Sequence, residues 1–244
     1  MKISKLPVST ASQFASPVEN RLLAALTESE LQGLLPYLEF VPLTLGQVIY
    51  ESGGQMSHVY FPTDSIISLL YLMENGTTAE IGVTGYEGMV GIALFMGGQT
   101  TPNRAVVQSA GSAYRMKAKP LQDEFIKGGT FQQLLLRFTQ ALITQISQTA
   151  VCNRLHSVEQ QLCRWLLLSY DRLHSNKLVM THNLIANMLG VRREGITTAA
   201  GQLQARGVIS YVRGTITLLD RPGLEATVCE CYRVVKNEYD RLLN

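Results

Sequence analysis

The chain has 244 residues, 46% of them apolar and 16% charged, with a net charge of +2. That composition excludes a mostly disordered chain and allows one large domain or two smaller ones, each with its own core. No apolar run approaches bilayer-spanning length and no signal-peptide core follows Lys2 and Lys5, so a cytoplasmic protein without a membrane partner is expected.

Residues 1–18 are polar and small, with Pro7 and Pro17, and read as a flexible leader. Apolar residues then repeat at three and four up to Leu38, predicting short amphipathic helices with Thr27 as a cap. From residue 39 to 116 the pattern changes. Short β-favouring runs at 40–43, 47–50, 58–61, 66–72, 79–83 and 105–108 alternate with turns at Gly46, Gly53-Gly54, Asn75-Gly76, Gly85, Gly97-Gly98 and Gly111. Many short strands with Gly turns predict an antiparallel barrel or jelly roll, and Asn75-Gly76 is the best hairpin signal.

Helical periodicity returns after Pro120 and is strongest from residue 131 to 155. Leu135, Phe138, Leu142, Gln145, Thr149 and Cys152 form one seam; Leu136, Thr139, Ile143, Ile146, Ala150 and Asn153 form another beside it. One seam can cover the chain's own barrel while the other meets a partner helix, which predicts a homodimer. A further helix at 158–173 carries the single tryptophan, Trp165, among leucines and reads as core.

Residues 181–220 hold the most informative pattern. Thr181 is a plausible N-cap, and Leu184, Ile185, Met188 and Leu189 give a first helix its apolar face. Ala186, Gly190 and Ile196 have the spacing of a helix-turn-helix, in which a small residue allows close approach and Gly turns the chain. In the second helix Ile196, Ala199, Ala200 and Leu203 face inward, leaving Arg192, Arg193, Glu194, Thr197 and Thr198 outside. Runs at 208–212 and 215–219, pinched at Arg213-Gly214, predict a hairpin. Helix, turn, helix and hairpin make a winged helix, an element that reads double-stranded DNA; a helical subdomain without a ligand and a winged helix that binds protein are the competing readings. Residues 154–213 carry eight Lys/Arg against three Asp/Glu, whereas the segments on either side are slightly acidic. Positive charge therefore gathers around the reading head, as phosphate attraction requires. After Pro222 the sequence predicts a terminal helix packed on the winged helix.

Other chemistry finds little support in the spacing. Cys229 and Cys231 supply two ligands, an incomplete zinc set, and read better as one apolar helix face; the four cysteines do not form a disulfide framework. His58, His156, His174 and His182 are scattered without metalloprotease spacing, and no nucleophile elbow, phosphate loop or dinucleotide fingerprint occurs. No enzyme activity, metal or cofactor is expected.

In order and motif the chain resembles the transcription regulators of the cyclic-AMP receptor protein/Fnr (Crp/Fnr) superfamily from about Asn20 to Asp220, most strongly over 184–214. The segment MLGVRREGIT is similar to that family's turn and recognition helix, with Arg193-Glu194 where members carry a base-facing pair. A further Arg common near Thr198 is missing here. The resemblance implies an α+β chain: leader 1–18, a jelly-roll-like β-roll sensor at 19–128, a dimerisation helix at 129–155 and a winged helix-turn-helix at 156–244. It implies a homodimer that binds a palindromic site and has RNA polymerase as a partner. Arg193 would donate to guanine and Glu194 accept from cytosine, Thr197 and Thr198 would add contacts, and Arg192, Arg206 and Arg213 would hold phosphates. The family's cyclic-nucleotide cassette maps onto Gly91-Ile92 and Asn103-Arg104, a candidate effector pocket. Ile92 stands where a ribose-binding Glu is expected, so control by cyclic AMP is not expected and the effector is unknown. An Fnr-type iron–sulfur cluster is not expected either, because the first cysteine is Cys152.

Overall fold

The computed structural model describes residues 16–243. Most of the expected leader lies outside the described residues, but Pro17–Glu19 form a 3-10 turn that leads to Asn20. Asn20 is fully buried; its Oδ1 accepts from the amides of Leu22 and Leu23 at the start of α1 (Arg21–Ala24), and its Nδ2 donates to the carbonyls of Pro62 and Gly88. Helix α2 (Glu28–Leu34) is capped by Thr27, as expected, in a reciprocal box with Glu30.

Seven strands follow: β1 (Glu39–Leu43), β2 (Val48–Tyr50), β3 (His58–Pro62), β4 (Ile66–Leu72), β5 (Thr78–Thr84), β6 (Arg104–Ser109) and β7 (Gly111–Lys117). They form two antiparallel sheets, ordered β1-β7-β3 and β2-β6-β4-β5. The Asn75-Gly76 hairpin joins β4 to β5, with Asn75 Oδ1 accepting from the Thr77 amide. Strand β7, which sequence periodicity passed over, is the centre of its sheet. Its residues Gly111, Ser112, Ala113, Tyr114, Arg115, Met116 and Lys117 look polar and mixed, yet both neighbouring strands supply its partners.

Helix α3 (Ala118–Lys127) closes the roll, and α4 (Gly129–Leu155) runs across it. The contact is close enough that a Cβ on Gly88 would lie 2.1 Å from the Phe138 ring. The first seam of α4 is buried within the chain, including its polar members. Gln145 completes the free edge of β5: its Oε1 accepts from the Val83 amide and its Nε2 donates to the Val83 carbonyl. Thr149 Oγ1 accepts from Arg164 at 3.0 Å. On the opposite side Leu136 and Ile143 are more than half exposed, and Ala150 and Val151 are exposed beside them. Within the second seam only Thr139 is buried.

Helix α5 (Val158–Tyr170) and β8 (Lys177–Val179) lead to α6 (His182–Leu189), α7 (Arg193–Ala205), β9 (Ile209–Val212) and β10 (Thr215–Leu218). Strand β8, also absent from the sequence reading, makes the wing a three-stranded sheet ordered β8-β10-β9. The expected single terminal helix is two, α8 (Arg221–Thr227) and α9 (Cys231–Leu243), broken at residues 228–230. Helix α9 does not lie mainly on the winged helix. Its stripe of Tyr232, Val235, Tyr239 and Leu242 is buried, and Tyr239 meets Phe138 and Gln145 of α4. Tyr232 OH, with Arg221 and Asp171, ties its start to the end of α5.

Candidate nucleic-acid interface

Helix α6 begins where Thr181 Oγ1 accepts from the Leu184 amide and ends at Gly190, whose φ of 66° is the left-handed turn that the Gly supplies. Ala186 and Ile196 are buried at the crossing with α7, whereas Leu184, expected on the apolar face, is 42% exposed. The inward residues of α7 are Ile196, Ala199, Ala200 and Leu203, as the spacing requires.

The opposite face is polar and open. Arg192 stands at the N-cap position of α7 without a side-chain cap bond, and Arg193 and Glu194 are the first two helical residues; they, Thr197 and Thr198 are all exposed. Among the described residues Arg192, Arg193 and Arg213 enter no ion pair. Thr197 Oγ1 donates back to the Arg193 carbonyl at 3.1 Å. His182 lies 3.2 Å from the same hydroxyl and stacks on Tyr211 of the wing, centroids 4.1 Å apart. Burial and then the Arg193 charge hold the His182 imidazole below its usual range. His182 therefore braces helix against wing. Tyr211 and Gln204, whose Oε1 accepts from the Tyr211 amide, belong to the same brace and carry no signal in spacing alone.

At the wing tip Arg213 has φ 49° and Gly214 φ 80°, the two left-handed residues of a type I′ hairpin. Among the described residues Arg213 is the one non-glycine with positive φ. Arg206 is separated from this group. It is the C-cap of α7, about 20 Å along the helix from Arg193, and it pairs with Glu159 of α5.

Residues 160–227 match the family model of the Crp-like helix-turn-helix domain. Among solved structures, FixK2 from Bradyrhizobium japonicum superposes with a TM-score of 0.68 at 16% identity, over 79% of this chain and 98% of that one. TTHB099, a CRP-family transcriptional regulator from Thermus thermophilus, gives 0.64 at 15% identity, over 77% and 95%. TTHA1359, a CRP/FNR-family regulator from the same organism, gives 0.59 at 21% identity, over 80% and 98%. No curated protein matches the sequence. The chain carries a Crp-like helix-turn-helix domain on a Crp/Fnr fold. Among the described residues no helix is long and apolar enough to cross a membrane.

The helix-turn-helix domain is docked on the β-roll. Thr78 Oγ1 of β5 donates to the Asn187 carbonyl of α6 at 3.3 Å, and Arg172, after α5, makes a buried ion pair with Glu87 at 2.7 Å. The candidate effector residues separate. Gly91, Ile92 and Asn103 line a cavity of about 270 Å³ with Tyr50, Leu69, Ile81, Leu142 and Ile146, and Asn103 accepts from Tyr50 OH at 2.7 Å. Arg104 is not in that lining; its Nη2 donates to Glu51 at 3.1 Å.

Cys229 and Cys231 do not share a helix face, because α9 starts at Cys231. They are not a lone pair of ligands, because Cys152 and His156 at the end of α4 converge on them, and the four donor atoms lie within 4.8 Å of one another. Sequence separation hides that cluster.

Proposed function

We propose that the protein is a homodimeric, sequence-specific transcription regulator acting in the cytoplasm, with a sensor at 19–128, a dimerising helix at 129–155 and a reader at 156–244. The observation that carries this reading is the set of exposed cations without an ion pair among the described residues, Arg192 and Arg193 at the start of α7 with Glu194, Thr197 and Thr198, and Arg213 at the wing tip. Arg193 reads guanine and Glu194 the cytosine amine; Arg192 and Arg213 hold phosphates. Arg206, held by Glu159, supports the back of the reader rather than its front. The dimer rests on the stripe Leu136, Ile143 and Ala150, which the chain's own sheets and α9 leave uncovered. Two readers related by a two-fold axis meet successive major grooves roughly 34 Å apart, so the operator is a palindrome, with RNA polymerase as the partner that reads the outcome.

The effector is not a cyclic nucleotide. A buried cyclic phosphate needs a paired cation and a ribose needs an acceptor; here Ile92 takes the acceptor's place and Arg104 is engaged by Glu51 outside the cavity.

Selection of bound duplexes from a random pool tests the reading. Palindromic winners, a steep salt dependence and a specificity loss of about 1–3 kcal/mol for Arg193→Ala are expected. Equal affinity for all duplexes, or a salt-independent interaction, overturns it. Calorimetry with cyclic AMP and cyclic GMP is expected to show no binding; micromolar binding abolished by Arg104→Ala would make the cavity a cyclic-nucleotide site while leaving DNA recognition as proposed.

A further inference from the structure

Three cysteines and one histidine meet at the junction of α4 with the α8–α9 break. Cys152 and His156 are one helical turn apart at the C-terminal end of α4, and Cys229 and Cys231 flank a single residue where α9 starts. Cys152 Sγ is 3.6 Å from Cys229 Sγ, and Cys231 Sγ is 3.4 Å from His156 Nδ1. The three sulfurs are buried and the imidazole is 15% exposed.

We infer that Cys152, His156, Cys229 and Cys231 form a structural zinc site of the Cys3His type. Metal–sulfur bonds of about 2.3 Å and a metal–nitrogen bond of about 2.0 Å in a tetrahedron put neighbouring sulfurs about 3.8 Å apart and sulfur and nitrogen about 3.5 Å apart. The Cys152–Cys229 and Cys231–His156 separations match those edges to a few tenths of an ångström, and the remaining pairs lie within 4.8 Å. They do not match a disulfide, whose sulfurs are about 2.05 Å apart. Four protein donors leave no open position, which is the mark of a structural rather than a catalytic ion. A thiolate-rich tetrahedron selects zinc over magnesium, calcium or manganese.

The surroundings suit a bound cation. His156 Nε2 stands 3.4 Å from the Glu230 carboxylate, which favours the proton on Nε2 and leaves the Nδ1 lone pair facing Cys231. Gln148 Nε2 donates to Cys231 Sγ at 3.2 Å. On binding, three thiols release their protons to solvent, so the divalent ion with three thiolates and a neutral imidazole carries one negative charge. The Arg164 guanidinium, 5% exposed and with its Nε unpartnered among the described residues, is a buried cation whose charge acts on Cys152. Cys163, equally buried on α5, is outside the cluster, so burial of cysteine alone does not account for the convergence. The ion would staple α9 to the helix it covers.

Metal analysis of the full chain, purified reduced and without a metal-affinity step, tests the site. One zinc per chain is expected, replaceable by Co(II) with thiolate-to-metal charge-transfer and tetrahedral d–d bands. Cys229→Ser is expected to lose those bands, Cys229→His to keep tetrahedral bands with weaker charge transfer, and Cys163→Ala to be unchanged. Circular dichroism checks that each variant is folded. A folded wild type that holds no zinc and gives no tetrahedral cobalt spectrum overturns the proposal, as does a Cys152–Cys229 disulfide that excludes metal.

Discussion

Arg213 and Glu80 are single side chains held at a cost. An L-residue in the left-handed region is disfavoured by roughly 1–2 kcal/mol, and Arg213 accepts that to stand at the wing tip. Arg213→Gly is therefore expected to raise stability by about 1 kcal/mol while weakening binding to every duplex and flattening the salt slope. Urea melts and duplex titrations at several salt concentrations give both signs; equal DNA affinity would leave the strained arginine without a role in binding. Glu80 on β5 is buried and its Oε2 has no hydrogen-bond partner among the described residues. Burial pushes its carboxyl up to about 7, against the weaker pull of Ser68 and of the Arg164 and Arg172 charges. The folded state thus holds a proton that the unfolded chain gives up near 4.5. Below that pH neither state is penalised. As pH rises from there to about 7, stability falls by on the order of 3 kcal/mol, then levels off. Denaturant midpoints from pH 4 to 8 are expected to show that slope in the wild type and to lose it in Glu80→Gln.

At the scale of elements, α4 carries two jobs on opposite faces. Leu142 is 1% exposed and lies over β5, where a Cβ on Gly82 would meet its Cδ1 at 3.4 Å, so it belongs to the chain's own core rather than to a seam between partners. Ile143, one residue on, is 55% exposed. Leu142→Glu is expected to unfold the chain, since a carboxylate enters an apolar core unpaired. Ile143→Glu is expected to keep the monomer fold but halve the sedimenting mass and weaken palindrome binding. Sedimentation and circular dichroism on the two variants separate these effects; a dimer that survives Ile143→Glu would move the interface off this stripe.

At the scale of the molecule, the β-roll and the helix-turn-helix domain are joined through a buried charge pair. Arg172 Nε donates to Glu87 at 2.7 Å, Arg172 Nη1 donates to the Leu168 carbonyl, and the guanidinium lies 5.7 Å from the centroid of the Tyr239 ring of α9. One residue therefore links the roll, α5 and the terminal helix. Arg172→Met leaves the Glu87 carboxylate buried and uncompensated and is expected to cost about 3–5 kcal/mol. Adding Glu87→Gln, which keeps an acceptor for the Gly85 amide, is expected to recover most of that loss. Double-mutant unfolding measures the coupling; additive losses would show that the pair is not a unit.

The sequence by itself determined what is local. The capping of α2 and α6, the Asn75-Gly76 and Arg213-Gly214 hairpins, the Gly190 turn and the inward face of α7 are all set by residues within a few positions of one another. Their signals are turn chemistry and period, and both act at short range. Tertiary structure decided the rest. Strands β7 and β8 take their partners from distant segments, so weak local preference is outvoted. Sequence does not say which α4 seam faces the chain's own barrel, and the structure assigns it to the first, where Gln145 and Thr149 find their hydrogen-bond partners inside the chain. Arg206 and Arg213 look alike in sequence; Glu159 engages one and the hairpin exposes the other. Cys152 and His156 reach Cys229 and Cys231 only because α9 folds back along α4, a path of more than seventy residues that spacing cannot encode.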